Sequence, residues 1–201
     1  MVLIVTALLV SPLASAGEIV VSNRPLHSLV SGVLAGITTP QLLLSTSQSI
    51  HAQQMKPSQI SLAREAKRVF WLGPEIEPEL VPFAGPHWLD LSSTPDLLWR
   101  PLREWGDGHD TTAHLRDPHL WLDPTNGQAL VRAIATEVLS FYPEQAVRVE
   151  TNTQTSLRQL EQLDRSIAAR LKALSPKGYA VSHDAYQYFE ARYALSPYAT
   201  L

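Results

Sequence analysis

The sequence contains no cysteine and no cluster of lysine and arginine, and each absence narrows the possible functions. Without cysteine there can be no disulfide framework and no thiolate metal site, so imidazole and carboxylate remain as the strong metal ligands. The 201 residues carry 16 Lys and Arg against 19 Asp and Glu, a formal net charge of -3. A weakly acidic chain without a basic run is not the pattern of a protein that binds nucleic acid or an anionic membrane surface.

The chain also has little charge at its amino end. An apolar run over residues 2–10 is followed by Pro12 and by the small residues Ala14 and Ala16. Because a bilayer-spanning helix needs about 20 residues, this pattern predicts a secretory signal peptide over residues 1–16. No Lys or Arg precedes the run, which leaves open an upstream start or an uncleaved anchor.

Strand and helix patterns alternate through the first half of the chain, and a hydrophobic content of 45% is enough to form a core. Buried strands are predicted at residues 18–22, 41–44, 68–72 and 88–91, and helices at 25–34 and 57–67, with a helical turn at 77–81. This alternation, with short connections, predicts a parallel α/β sheet whose ligands gather at the carboxyl ends of its strands.

The second half of the chain is dominated by helical patterns. An amphipathic helix is predicted over residues 125–141, and leucine and isoleucine recur every three or four positions across residues 144–174. At 1.5 Å per residue the latter helix would be about 45 Å long, more than a small domain is wide. We therefore expect a helix that joins two lobes, followed by a strand over 179–182 and a helix over 190–195.

Three of the seven histidines stand at a strand end or in a loop between regular elements: His51, His119 and His183. They are far apart in sequence, so they form neither a zinc-finger spacing nor a His-x-x-x-His pair on one helix. Two further histidines, His109 and His114, lie in a polar loop. That loop position fits solvated side chains and an auxiliary metal-binding role equally well.

His119 has the most distinctive sequence context, the segment DPHLWLDP over residues 117–124. Proline disfavours helix in the residue before it, so Asp117 and Asp123 should be extended and the segment short. A rigid apolar setting suits a metal-binding histidine, and it also suits an ordinary core histidine. Function must therefore be argued from the rest of the chain.

Several segments of this chain together resemble a known family. They are HAQQMKPSQ from His51, VFWLGPEIE from Val69, DPHLWLDP from Asp117 and YAVSHDAYQYFEARYALSP from Tyr179. In this order they are similar to the zinc-binding receptor of bacterial high-affinity zinc ABC importers. The resemblance implies a periplasmic solute-binding protein, not an enzyme, that delivers Zn²⁺ to a membrane permease.

The resemblance also implies the metal site. In the family, the histidines of these segments bind the metal in a cleft between two α/β lobes, which assigns the metal ligands here to His51, His119 and His183. Three neutral imidazoles favour Zn²⁺ over Mn²⁺, which prefers oxygen ligands, although Cu²⁺ or Ni²⁺ could also bind in vitro. Gln53 and Ile50 depart from residues usual in the family, and the His-rich loop is short.

The fold class expected is α/β, with an N-terminal parallel-sheet lobe, a long linking helix and only the start of a second α/β lobe. The predicted divisions are residues 1–16 (signal peptide), 17–142 (first lobe), 143–175 (linking helix) and 176–201 (start of a truncated C-terminal lobe). With most of the second lobe absent, four aromatic residues are expected to be exposed: Tyr186, Tyr188, Phe189 and Tyr193.

Two alternatives to a zinc receptor remain open at this point. Three histidines with an open fourth position are also the arrangement of a zinc hydrolase, for which Asp184 or Glu190 could be proposed as the base. Against this, the chain has no His-Glu-x-x-His helix and no nucleophile motif. The second alternative is a non-functional truncated remnant that has merely kept its histidines.

Overall fold

A computed structural model describes residues 18–44, 55–103, 115–172, 179–196 and 199–200. Four short strands form a parallel sheet with the spatial order β2-β1-β3-β4: β1 (Ile19–Val21), β2 (Gln41–Leu42), β3 (Arg68–Trp71) and β4 (Trp88–Asp90). In the register of the sheet, Val20 of β1 is paired with Val69 of β3, which is paired with Trp88 of β4. The predicted strands and the parallel α/β fold class are confirmed.

Five α-helices accompany the sheet in the described part of the chain: α1 (Arg24–Val33), α2 (Pro57–Glu65), α3 (Pro124–Phe141), α4 (Ala146–Lys172) and α5 (Gln187–Tyr193). Side-chain caps define two of their starts. The Asn23 side chain accepts a hydrogen bond from the Leu26 amide at α1, and the Asp123 side chain accepts one from the Thr125 amide at α3. Each cap satisfies an amide that has no partner within its helix.

Alternation along the strands divides the core between the two faces of the sheet. Successive strand residues point to opposite faces, so Val21 and Phe70 pack with α1, α3 and α4, whereas Val20 and Val69 belong to a second cluster with Ala63 of α2. Both clusters consist of buried side chains. The sheet is therefore covered on both sides, as the nearly continuous apolar strands predict.

The long helix is somewhat shorter than its sequence pattern, because the predicted start at residue 144 falls in a 3-10 turn, Pro143–Gln145. Its 27 residues would measure about 40 Å. Only its first half is buried against α1 and α3, through residues such as Val149 and Leu157, while Leu163 is 50% exposed. The second half of α4 thus extends past this core.

A short two-stranded parallel sheet, β5 (Ala180–Val181) with β6 (Ala199–Thr200), accompanies α5. Helix α5 begins three residues earlier than predicted and ends at Tyr193, followed by a C-cap residue, Ala194, whose φ of 54° is left-handed. No helix in the described ranges is long and apolar enough to cross a membrane. The predicted signal peptide, residues 1–16, lies outside those ranges, and the two-lobe division stays a prediction.

Candidate metal site

The segment 117–124 connects the core to the start of α3. Leu120, which is fully buried, begins a 3-10 turn (Leu120–Leu122), and Asp123 has the extended backbone expected before a proline. The turn itself was not predicted. Because Leu120 is fixed in the core and Asp123 caps the helix, the backbone on both sides of His119 is held in place.

Asp117 fixes the orientation of the His119 ring. One carboxylate oxygen, Oδ1, accepts hydrogen bonds from the backbone amide of His119 and from its Nδ1, each at 2.8 Å. A carboxylate only accepts, so Nδ1 carries the hydrogen in this contact, and Nε2 is the ring nitrogen that a neutral imidazole in this orientation would offer to a metal. The two residues are 2% and 5% exposed, respectively, so water competes little for this hydrogen bond.

The structure brings His183 beside His119. Their ring centroids are 5.2 Å apart and their planes are inclined by 78°. With Zn–N bonds of about 2.0–2.1 Å, two imidazoles at a tetrahedral angle would have ring centroids roughly 5 Å apart. His119 is buried, whereas His183, two residues after β5, is exposed. The pair therefore lies at the boundary between the core and the solvent.

The third predicted ligand, His51, lies outside the described residues, as do Gln53, His109 and His114. Within the described ranges, no group of three or more His, Cys, Asp and Glu side chains could hold a metal ion. The structure thus brings together two of the three predicted ligands. The complete ligand set stays a prediction.

Arg103 binds two carboxylates that follow His183 in the sequence, those of Asp184 and Glu190. Its guanidinium forms a forked ion pair with Asp184, and its Nη1 donates to Glu190 Oε2 at 2.5 Å. The hydrogen bonds to Asp184 hold the pKa of Arg103 above its usual value. Tyr179 also donates its hydroxyl hydrogen to Glu190, at 3.0 Å. Both residues considered as catalytic bases therefore already accept hydrogen bonds from a cation.

Tyr188 contradicts the expectation of an exposed aromatic surface, because it is 0% exposed and belongs to the main core. Helix α5 packs against the turn that contains Leu120, and this contact removes Tyr188 from solvent. Burial raises the pKa of Tyr188 to about 12. Phe189 and Tyr193 are half-buried and contact each other, so the expectation holds only for Tyr186, which is 44% exposed.

Two other histidines have structural hydrogen bonds. Nε2 of His27 contacts the carbonyl of Pro40 at 3.0 Å, and Nε2 of His87 contacts the carbonyl of Ala63 at 2.9 Å. His87 precedes β4, at the amino end of the sheet, where ligands of parallel sheets do not gather. Sequence reasoning missed Asp117 and Arg103. For Asp117 an available signal was its position two residues before a histidine, where aspartate commonly bonds to the backbone.

Comparison with known proteins gives a family match over residues 19–201, to the family described as ZnuA, zinc-uptake complex component A, periplasmic. The chain is 33% identical over 222 residues to the high-affinity zinc uptake system protein ZnuA of Brucella abortus (strain 2308), covering 90% of this chain and 66% of that protein. It is 31% identical over 210 residues to the Yersinia pestis protein of the same name, covering 92% and 65%.

The fold is similar to solved structures as well. A crystal structure of ZnuA superposes with a TM-score of 0.77 at 23% identity, covering 90% of this chain and 69% of that one. A zinc-bound ZnuA deletion mutant gives a TM-score of 0.76 at 24% identity, covering 90% and 68%. The chain spans about two thirds of the length of the curated relatives it matches.

Proposed function

This chain belongs to the ZnuA family of periplasmic zinc-uptake components, and from that membership we propose that it captures Zn²⁺ and delivers it to the membrane permease of an ABC importer. Members of this family are solute-binding receptors and not enzymes. Zinc is accordingly the cargo of the protein. The signal peptide over residues 1–16 is part of the proposal, since a periplasmic receptor must be exported.

The proximity of His119 and His183 carries the proposal. These two imidazoles come from segments separated by the whole of α3 and α4, yet their ring centroids are 5.2 Å apart, a distance compatible with two ligands of one zinc ion. We propose His51 as the third ligand, since the segment that contains it resembles that of the family ligand. Three imidazoles select the borderline-soft Zn²⁺ over Mn²⁺.

The proposed mechanism is reversible binding without covalent chemistry. The Asp117 carboxylate accepts a hydrogen bond from Nδ1 of His119, and we propose Nε2 as the nitrogen that coordinates the ion. Protons compete with zinc for the imidazole nitrogens, so affinity should fall as the pH falls. Release to the permease is then the dissociation of the ion from these side chains.

Isothermal titration with zinc, in the presence of a competing chelator, tests the site. His51→Ala, His119→Ala and His183→Ala should each weaken binding on the order of 100-fold or more, because loss of a ligand should exceed the 10–100-fold cost of losing a supporting group. His87→Ala is the matched control and should stay within about threefold of the unchanged chain. Zinc affinity that survives His183→Ala would rule out the proposed ligand set.

Growth tests the transport role separately. A strain that lacks its own zinc receptor should grow poorly in zinc-chelated medium, and expression of this chain should restore growth while its His119→Ala variant should not. Tight zinc binding in vitro without restored growth would support the remaining alternative, a remnant that binds zinc but does not deliver it.

A further inference from the structure

A tyrosine hydroxyl bridges the two segments that carry the paired histidines. Tyr188 lies on α5, five residues after His183. Its hydroxyl donates to the backbone carbonyl of Asp117 at 3.1 Å and accepts from the backbone amide of Arg100 at 3.0 Å. It thereby contacts the residue whose carboxylate orients His119.

The hydroxyl completes a backbone pair that would otherwise be half formed. In an antiparallel pair, two opposed residues exchange both of their N–H···O bonds. Here the Asp117 amide donates directly to the Arg100 carbonyl at 2.8 Å, and the reciprocal bond from the Arg100 amide reaches the Asp117 carbonyl through Tyr188. Because the neighbouring residues Pro101 and Arg116 also form a bridge, this is a defined piece of backbone.

We propose that Tyr188 is a positioning residue for zinc capture, whose hydroxyl fixes the His183 segment on the Asp117 backbone so that the two imidazoles stay at zinc-binding separation. The inference rests on the proposed function. Arg103, three residues after Arg100, also holds this segment, because it binds Asp184 and Glu190, which precede and follow Tyr188 in the sequence. The Tyr188 hydroxyl reaches the backbone of Asp117, the residue whose carboxylate orients His119.

Tyr188→Phe separates positioning from packing, since phenylalanine keeps the buried ring and removes only the hydroxyl. The matched control is Tyr193→Phe, which removes a hydroxyl from the same helix, where it donates to Asp164 at 3.0 Å. We expect Tyr188→Phe to weaken zinc binding about tenfold, the lower end of the range for groups that support a ligand. Tyr193→Phe should stay within about twofold.

The spectrum of bound Co²⁺ provides a readout that a loss of stability alone would not move. Visible absorption of cobalt depends on the geometry of its ligands, so Tyr188→Phe should shift or weaken the bands while Tyr193→Phe leaves them unchanged. Equal zinc affinity and equal cobalt spectra for the two variants would overturn the inference. Circular dichroism establishes that each variant is folded at the titration temperature.

A measurement on the unchanged chain covers the case in which Tyr188→Phe does not fold. Coupling between sites is reciprocal, so zinc binding should slow hydrogen exchange of the Arg100 amide, which donates to Tyr188. The Leu26 amide, which donates to Asn23 at the start of α1, is the control and should change little. No added protection of the Arg100 amide would count against the inference.

Failure of the inference can be distinguished from failure of the proposed function. If His119→Ala and His183→Ala weaken zinc binding and Tyr188→Phe behaves as Tyr193→Phe, zinc capture stands and the role of Tyr188 is wrong. If the histidine variants bind zinc as the unchanged chain does, both are wrong.

Discussion

Asp117→Asn provides the sharpest test of how His119 is held. The Oδ1 of Asp117 accepts from both the backbone amide and the Nδ1 of His119. Asparagine keeps the shape and one accepting oxygen but removes the charge. Hydrogen bonds to charged groups contribute about 1.5–3 kcal/mol against about 0.5–1.5 for neutral pairs, so roughly 1 kcal/mol of support for the ring is lost.

A loss of 1.4 kcal/mol corresponds to a tenfold change in an equilibrium constant, so this hydrogen bond alone predicts a reduction in zinc affinity of about five- to tenfold. The weaker basicity of an imidazole without a carboxylate partner adds to it, and the range for such supporting groups is about 10–100-fold. We therefore expect Asp117→Asn to weaken zinc binding at least about tenfold, as measured by chelator-competition titration.

The same segment supplies the control. Asp123 also precedes a proline and is also buried, but its side chain accepts from the Thr125 amide as the N-cap of α3 and forms no hydrogen bond with the His119 ring. Asparagine is as good an N-cap as aspartate, so Asp123→Asn should change zinc affinity less than twofold. Equal zinc affinities for the two variants would refute the orienting role of Asp117.

Two further predictions concern stability, both measured by urea denaturation. Burial raises the pKa of Glu77, so the folded chain retains a proton that the unfolded chain releases above about pH 4.3. The free energy of unfolding should therefore fall as the pH rises above that value, by up to about 1.4 kcal/mol per pH unit. Glu77→Gln should remove this contribution to the pH dependence of stability. An unchanged pH dependence in the variant would contradict the buried-proton argument. Gly73→Ala should cost about 1–3 kcal/mol, because Gly73 has a φ of 85° and a Cβ there would collide with Asp90. Gly127→Ala, inside α3, should be neutral or stabilising, because its Cβ would meet only the flexible end of the Leu160 side chain at 3.4 Å; equal effects of the two substitutions would disprove this reasoning.

Much of the fold could be predicted because its signals are local. A short window of sequence is enough to show the strand patterns at residues 18–22 and 68–72 and the periodicity of the long helix. The errors were at boundaries, such as the start of α4, where a 3-10 turn replaces the predicted first helical turn. The order β2-β1-β3-β4 was not predictable in this way, since periodicity does not state which strands are neighbours.

The same distinction between local signals and long-range contacts applies to the candidate site. The three histidines could be selected because they stand beside strand ends and in segments that resemble a family of metal receptors. The groups that organise them could not, since Tyr188 contacts Arg100 across 88 residues and Arg103 contacts Asp184 across 81. No sequence window contains both partners.

Composition and periodicity are properties of the chain before it folds, and they were sufficient for the parallel α/β architecture and the lack of thiolate ligands. The histidines worth testing followed from their positions between regular elements and from the resemblance to a receptor family. The burial of Tyr188 and the pairing of Arg103 with Asp184 and Glu190 became visible only in the folded molecule. Those outcomes depend on where α5 comes to rest against the turn before α3. That placement follows from packing and hydrogen bonds between distant residues.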